Sequence, residues 1–310
     1  MTTNHDGRGR VTFCGLPLAH PVVNGSGTFD AIAARRVFGE AVLEQFPFAA
    51  FVTKTVTLEP RQGNPPPRLW ELAGGLLNSI GLPNKGLRGF LASDLPQLRE
   101  LPVPLIVNVM GASAAEFAKL VTAIAAREEV AALELNVSCP NVNTGLDIGA
   151  VPGALRDLIR HLRPLTGKPL IVKLTPNTTD VAATARAAQE GGADAVSLIN
   201  TLRGMALAPG TAEPWLGGVT GGVSGPAIGA VAIAQVYSVR RAVSVPIVGM
   251  GGVRSARNAL DLMRAGADLI AVGSESFRNP IAAAEIARQL ASLSSAPAEV
   301  PQTAAFSARR

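Results

Sequence analysis

Cys139 stands between two asparagines in the run Asn136-Val-Ser-Cys-Pro-Asn141, at the end of a Leu/Val-rich stretch. A free thiol titrates near 8.5, so a few per cent is thiolate at neutral pH, and a positive neighbour raises that fraction. Other apolar runs are also interrupted by polar residues on their C-terminal side: Asn24 with Ser26, Lys54, Asn108, Lys173, and Asn200 with Thr201. Taken singly, each could satisfy a loop backbone or reach solvent. Several amides, two lysines and a cysteine converging on one rim mark it as a functional site.

Two late runs end in Gly-rich turns, Gly249-Met-Gly-Gly-Val-Arg-Ser255 and Val272-Gly-Ser-Glu-Ser276. Bare backbone N–H groups there suit a phosphate, so a phosphorylated cofactor is expected. The first turn superficially matches a dinucleotide fingerprint. It comes too late in the chain, however, and lacks the following half-fold with an acidic ribose partner.

Positioning these groups requires strands that are buried on both faces. Short Val/Ile/Leu runs predict strands at Pro21 to Gly25, Ala50 to Lys54, Pro104 to Val109, Ala132 to Val137, Pro169 to Leu174, Ala195 to Asn200, Pro246 to Met250 and Leu269 to Gly273. Helical periodicity lies between them, at Ala114 to Arg127, Ala154 to Leu162, Val181 to Glu190, Ile228 to Ala242 and Ala256 to Ala265. Ser113 with Glu116, Asp180 and Ser255 occupy N-cap positions. The related runs Glu190-Gly-Gly-Ala-Asp-Ala-Val and Arg264-Ala-Gly-Ala-Asp-Leu-Ile each read as helix, glycine stop, strand. The pattern predicts an α/β fold, a (β/α)₈ TIM barrel, as one domain over residues 1–310 with flexible tails at about 1–10 and 294–310. The connections from Thr55 to about Leu91 and from Thr201 to about Pro226 are long and rich in Gly and Pro, and are expected as loops over the C-terminal face.

The chain has 310 residues, a formal charge of +5 and two cysteines. Arginines are scattered along helices such as Leu155 to Arg163, without a basic run or aromatic platform, which argues against nucleic acid. No stretch approaches the roughly 20 apolar residues of a membrane span, and no export signal opens the chain, so a cytoplasmic enzyme with reduced thiols is expected.

The run Asn136 to Asn141 resembles the class 1 dihydroorotate dehydrogenases. So do Asn24-Gly-Ser-Gly-Thr-Phe29, Thr53-Lys-Thr-Val-Thr-Leu-Glu-Pro-Arg61, Asn78-Ser-Ile-Gly-Leu-Pro-Asn84, Ser224-Gly-Pro-Ala-Ile228 and Gly249-Met-Gly-Gly252. The similarity runs from about Val11 to Leu293, in family order. Within the class it is closer to type B, on the Thr53 to Arg61 and Ser224 to Ile228 runs.

The resemblance implies oxidation of (S)-dihydroorotate to orotate in de novo pyrimidine (UMP) biosynthesis, with one FMN per chain. Cys139 would remove the C5 proton while hydride passes to flavin N5. Electrons would reach NAD through a partner subunit carrying FAD and a 2Fe–2S cluster, on a homodimer core that makes a heterotetramer. A type A homodimer using fumarate is the alternative. Lys54, Asn78, Ser79, Ile80, Gly81, Leu82, Asn136, Asn200 and Thr201 match substrate positions. Ser26, Lys54, Thr55, Asn108, Asn136, Lys173, Ile199 and Gly225 match flavin contacts, and Gly251, Gly252, Gly273 and Ser274 the phosphate end. No metal ligand is implied. Two stretches depart from the family pattern: the loop Asn143 to Gly149 lacks the usual basic residue and paired glycines, and Ala206 to Gly217 lacks an early acidic residue. A tRNA dihydrouridine synthase would need a helical RNA-binding domain after the barrel. A non-catalytic flavin barrel would need no proton acceptor at position 139.

Overall fold

The structure is a computed structural model that describes residues 4–5, 10–137 and 148–295. Eight parallel strands form one sheet: β1 (Val22–Asn24), β2 (Phe51–Val52), β3 (Leu105–Val109), β4 (Val130–Asn136), β5 (Leu170–Lys173), β6 (Ala195–Leu198), β7 (Ile247–Met250) and β8 (Leu269–Val272). Their order is β1-β8-β7-β6-β5-β4-β3-β2, the sequential winding of a (β/α)₈ barrel. All eight lie where the apolar runs predict them. Only β4 starts early, because a register irregularity at Leu105/Ile106 lets Val130 pair with Leu105 before Ala132 pairs with Ile106.

The seam between β1 and β2 is closed mainly by a side chain. Asn24 Nδ2 donates to Val52 O at 2.7 Å, and Val52 N donates to Asn24 Oδ1 at 2.8 Å. The amide thus stands in for the backbone pairing that short strands cannot extend. Ala49 N donating to Val22 O at 2.9 Å completes the closure. Asn24, expected on the rim, is therefore a buried element of the barrel wall.

The helices bury one face against the strands. In Ala114–Ala125 the buried residues Phe117, Leu120, Val121 and Ile124 follow the i, i+3, i+4, i+7 spacing of a single apolar stripe. Ser113, Asp180 and Ser255 cap their helices by accepting from Glu116 N, Ala183 N and Asn258 N. Glu116 reaches back to Ala112 N rather than to the cap residue itself.

The internal repeat is a repeated hydrogen-bond unit. Helices Val181–Gly191 and Ala256–Ala265 stop at left-handed Gly192 and Gly266. The next residues, Ala193 and Ala267, bond back to Ala188 O and Leu262 O, the pairing of a Schellman stop. Asp194 then accepts from Leu170 N, and Asp268 from Ile247 N, both at 2.8 Å. Each aspartate fixes the first residue of the neighbouring strand.

Inside the barrel, Val23, Val52, Ile106, Ala132, Ile171, Ala195, Val248 and Leu269 form an apolar cluster with Val11, Phe13 and Leu18. Those three belong to the antiparallel pair Val11–Phe13 and Leu16–Leu18, which plugs the N-terminal end. Asn4–His5 adds a third strand to this plug. The rest of both expected tails lies almost wholly outside the described residues. Among the described residues no helix is long and apolar enough to cross a membrane.

The two long connections are not plain loops. Leu69–Leu72, Gly75–Asn78, Gly221–Ser224 and Leu202–Gly204 join as a four-stranded antiparallel sheet at the barrel mouth. Their glycine content hides the strand pattern but serves close approach: a Cβ on Gly222 would lie 1.9 Å from Thr201 Oγ1.

Candidate active site at the barrel mouth

The strand ends and the antiparallel sheet enclose a cavity of about 620 Å³, within the range that cofactor-sized ligands occupy. Ser26, Lys54 and Thr55 enter from the loops after β1 and β2, Asn136 and Lys173 from the ends of β4 and β5, and Ile199, Asn200 and Thr201 from beyond β6. Asn78, Ile80, Gly81 and Leu82 come from the sheet and its following turn. Gly225, Gly251, Gly252, Gly273 and Ser274 close the side nearest β7 and β8.

Local bonds hold these groups in place. Ser26 Oγ donates to Thr53 O at 2.8 Å, tying the first loop to the second. Asn136 Nδ2 donates to Thr55 Oγ1 at 3.4 Å. Thr201 N donates to Asn200 Oδ1 at 2.8 Å, and Asn177 Nδ2 holds Thr201 O at 3.1 Å. Asn78 Nδ2 donates to Gly222 O at 3.0 Å across the sheet.

Electrostatically the cavity favours an anion. Lys54 and Lys173 both line it. Burial of the Lys54 ammonium pulls its pKa below the ordinary value; the Asp30 carboxylate works against that shift and Arg68 adds to it. At the other end, Gly251 and Gly252 carry positive φ, and Gly252 packs on the first residue of helix Gly229–Arg240: a Cβ there would lie 3.0 Å from Gly229 N. Bare backbone beside a helix start suits an anion such as a phosphate. Two lysines and bare glycine turns on the walls of one cavity suit an anionic ligand.

Two sequence-predicted residues stand behind the wall. Ser79 is buried, with its Oγ accepting from Asn64 Nδ2 at 2.9 Å. Asn108 is fully buried inside the barrel, donating to Glu134. Cys139 lies outside the described residues, as do Ser138 and Asn141. The other cysteine, Cys14, sits at the barrel plug, where burial pushes its pKa up to about 12, so it stays a thiol.

The family model described as dihydroorotate dehydrogenase matches residues 9–293. The chain belongs to the dihydroorotate dehydrogenase family. It is 46% identical over 280 residues to "Dihydroorotate dehydrogenase B (NAD(+)), catalytic subunit" of Pelobacter propionicus, covering 90% of each chain. The protein of the same description from Trichlorobacter lovleyi is 46% identical over 276 residues, covering 88% of each. The crystal structure of DHODH in complex with ferulenol from Eimeria tenella superposes with a TM-score of 0.74 over 94% of this chain and 86% of that one; at 22% identity this likeness speaks for the fold alone.

Within this dihydroorotate dehydrogenase fold, sequence reasoning missed Leu69, Leu76, Ile228, Met250, Val253 and Phe277, which give the cavity its apolar walls. Nothing marks Leu69, Leu76 and Phe277, since apolar residues are common in such a chain, whereas Ile228, Met250 and Val253 lie inside the runs Ser224 to Ile228 and Gly249 to Ser255. It also passed over Glu134 and Ser197, whose signal was available: a carboxylate two residues before Asn136 must share its face of the strand.

Proposed function

We propose that this chain oxidises (S)-dihydroorotate to orotate in pyrimidine biosynthesis, with one FMN in the mouth cavity. Its electrons pass to NAD through a partner subunit carrying FAD and a 2Fe–2S cluster. The observation that carries this reading is a single cavity with Lys54, Lys173, Asn78, Asn136 and Asn200 on its walls and bare glycine turns at one side, in a chain of this family. The proposed assembly is a homodimer core with two partner subunits, in the cytoplasm.

FMN, when bound, supplies a hydride acceptor and a two-electron store. The chain's own residues do the rest. Backbone N–H groups of Gly251, Gly252, Gly273 and Ser274 bind the phosphate. Lys173 offers a fixed positive charge to the flavin ring, which stabilises negative charge there in a site that excludes water. Lys54 and the amides of Asn78, Asn136 and Asn200 orient a ring carrying imide and carboxylate groups, because amides can both donate and accept. Cys139, as thiolate, accepts the C5 proton. The antiparallel sheet covers the mouth and keeps water out.

The test is to isolate the chain with its partners from native cells and separately alone. The chain alone should keep FMN and be bleached by dihydroorotate without reducing NAD, whereas the assembly should hold FAD and iron–sulfur and reduce NAD. Rapid NAD reduction by the isolated chain would remove the partner from the scheme, and fumarate reduction would move the chain to type A.

A further inference from the structure

Glu134 is a carboxylate inside the barrel, only 4% exposed. Its Oε2 accepts from Asn108 Nδ2 and its Oε1 from Ser197 Oγ, the latter at 2.7 Å. Both carboxylate oxygens thus meet donors. Asn108 Oδ1 is buried without a hydrogen-bond partner, which adds a second negative pole to the same layer. This polar layer lies between the apolar plug below and the cavity above. Glu134 is two residues before the cavity-lining Asn136, so one inward layer, roughly 7 Å of strand, separates them. Lys173, the cation of the layer above, is in register with both Asn136 and Ser197.

A buried charge acts through medium that screens it far less than water does. We propose that Glu134 sets how readily the bound flavin accepts electrons: from beneath the cavity floor it partly cancels the field of Lys173 and Lys54 and so disfavours the negatively charged reduced flavin. Lys173 favours reduction and Glu134 limits it, so that the electrons are not held too tightly to be passed on. Glu134 touches neither cavity nor substrate and tunes rather than catalyses. At the effective dielectric of a protein interior, removing one charge from the layer beneath a bound anion alters the stability of that anion on the order of tenfold.

This inference rests on the proposed FMN site, and its test separates the two. The potential of the bound flavin is measured by equilibration with a reference dye in the purified wild-type chain and in Glu134→Gln, Glu134→Met, Glu134→Asp and Ser197→Ala. The two neutral variants should shift the reduced-to-oxidised ratio about tenfold toward reduced flavin, a rise of about 30 mV for a two-electron couple. Glu134→Asp and Ser197→Ala keep the charge and should stay within about threefold of wild type. Neutral variants with the wild-type potential would overturn the proposal, and so would equal shifts in all four, since loss of local order would then suffice. Neutral variants that cannot be purified folded would also overturn it, because Glu134 would then hold the barrel rather than tune its contents. A wild-type chain that binds no FMN would instead defeat the functional reading.

Discussion

Replacing Asn24 with alanine should open the barrel along one line. Asn24 is 1% exposed, and its amide is the partner of both the N–H and the C=O of Val52, at 2.8 and 2.7 Å. Alanine leaves both backbone groups buried and unpaired, each costing about 1–3 kcal/mol, for a total of roughly 2–6 kcal/mol. With an unfolding entropy of roughly 2.1 cal/mol/K per residue over a chain of this size, that corresponds to a melting point lower by about 3–9 °C. Asn24→Asp should do no better, because it keeps an acceptor for Val52 N but sets a second oxygen against Val52 O. The assay is urea or thermal unfolding followed by far-UV circular dichroism, with Asn78→Ala as a comparison whose single cross-sheet bond to Gly222 O lies at the partly exposed mouth. A loss below about 1 kcal/mol, no larger than one ordinary hydrogen bond, would show that Val22, Phe48 and Phe51 hold the seam by packing and that the amide is incidental.

Two further outcomes are expected. Gly252 has φ +74° and no room for a Cβ, which would meet Gly229 Cα at 2.7 Å, so Gly252→Ala should weaken FMN retention about ten- to hundredfold through backbone strain; flavin fluorescence on dilution reads this, and undiminished retention would contradict its place in the phosphate site. Burial lowers the pKa of His20, whose Nδ1 accepts from Val22 N at 3.3 Å, so the folded chain favours neutral imidazole. Its contribution should be complete above the unfolded value near 6.5 and fade as pH falls below it. His20→Gln should flatten the stability profile between about pH 7 and pH 5, and an unchanged slope would assign the acid sensitivity to other groups.

Strand positions were legible because a parallel barrel buries both faces of each strand, leaving uninterrupted apolar runs such as Leu-Ile-Val before Lys173. The repeat around Asp194 and Asp268 was visible as well, since the helix stop, the turn and the strand clamp are all local. What was hidden depends on partners distant in sequence. Asn24 reads as a rim amide until Val52 is brought beside it, and Asn108 reads as one until Glu134 claims its N–H. The antiparallel sheet escaped notice because Gly75, Gly221 and Gly222 are selected for close approach rather than for strand propensity. Lys54, Asn136, Lys173 and Asn200 do share the cavity, because alternation along a strand and position at its C-terminal end decide both where a side chain points and at what height.

The most direct measurement is anaerobic stopped-flow mixing of dihydroorotate with the FMN-loaded chain, wild type against Cys139→Ala, across the pH range of a thiol. Rapid bleaching that accelerates as the thiol ionises in the wild type, and is slowed severely in the variant, is the expected result. Bleaching at the same rate in both proteins would remove Cys139 from the chemistry and contradict the assignment.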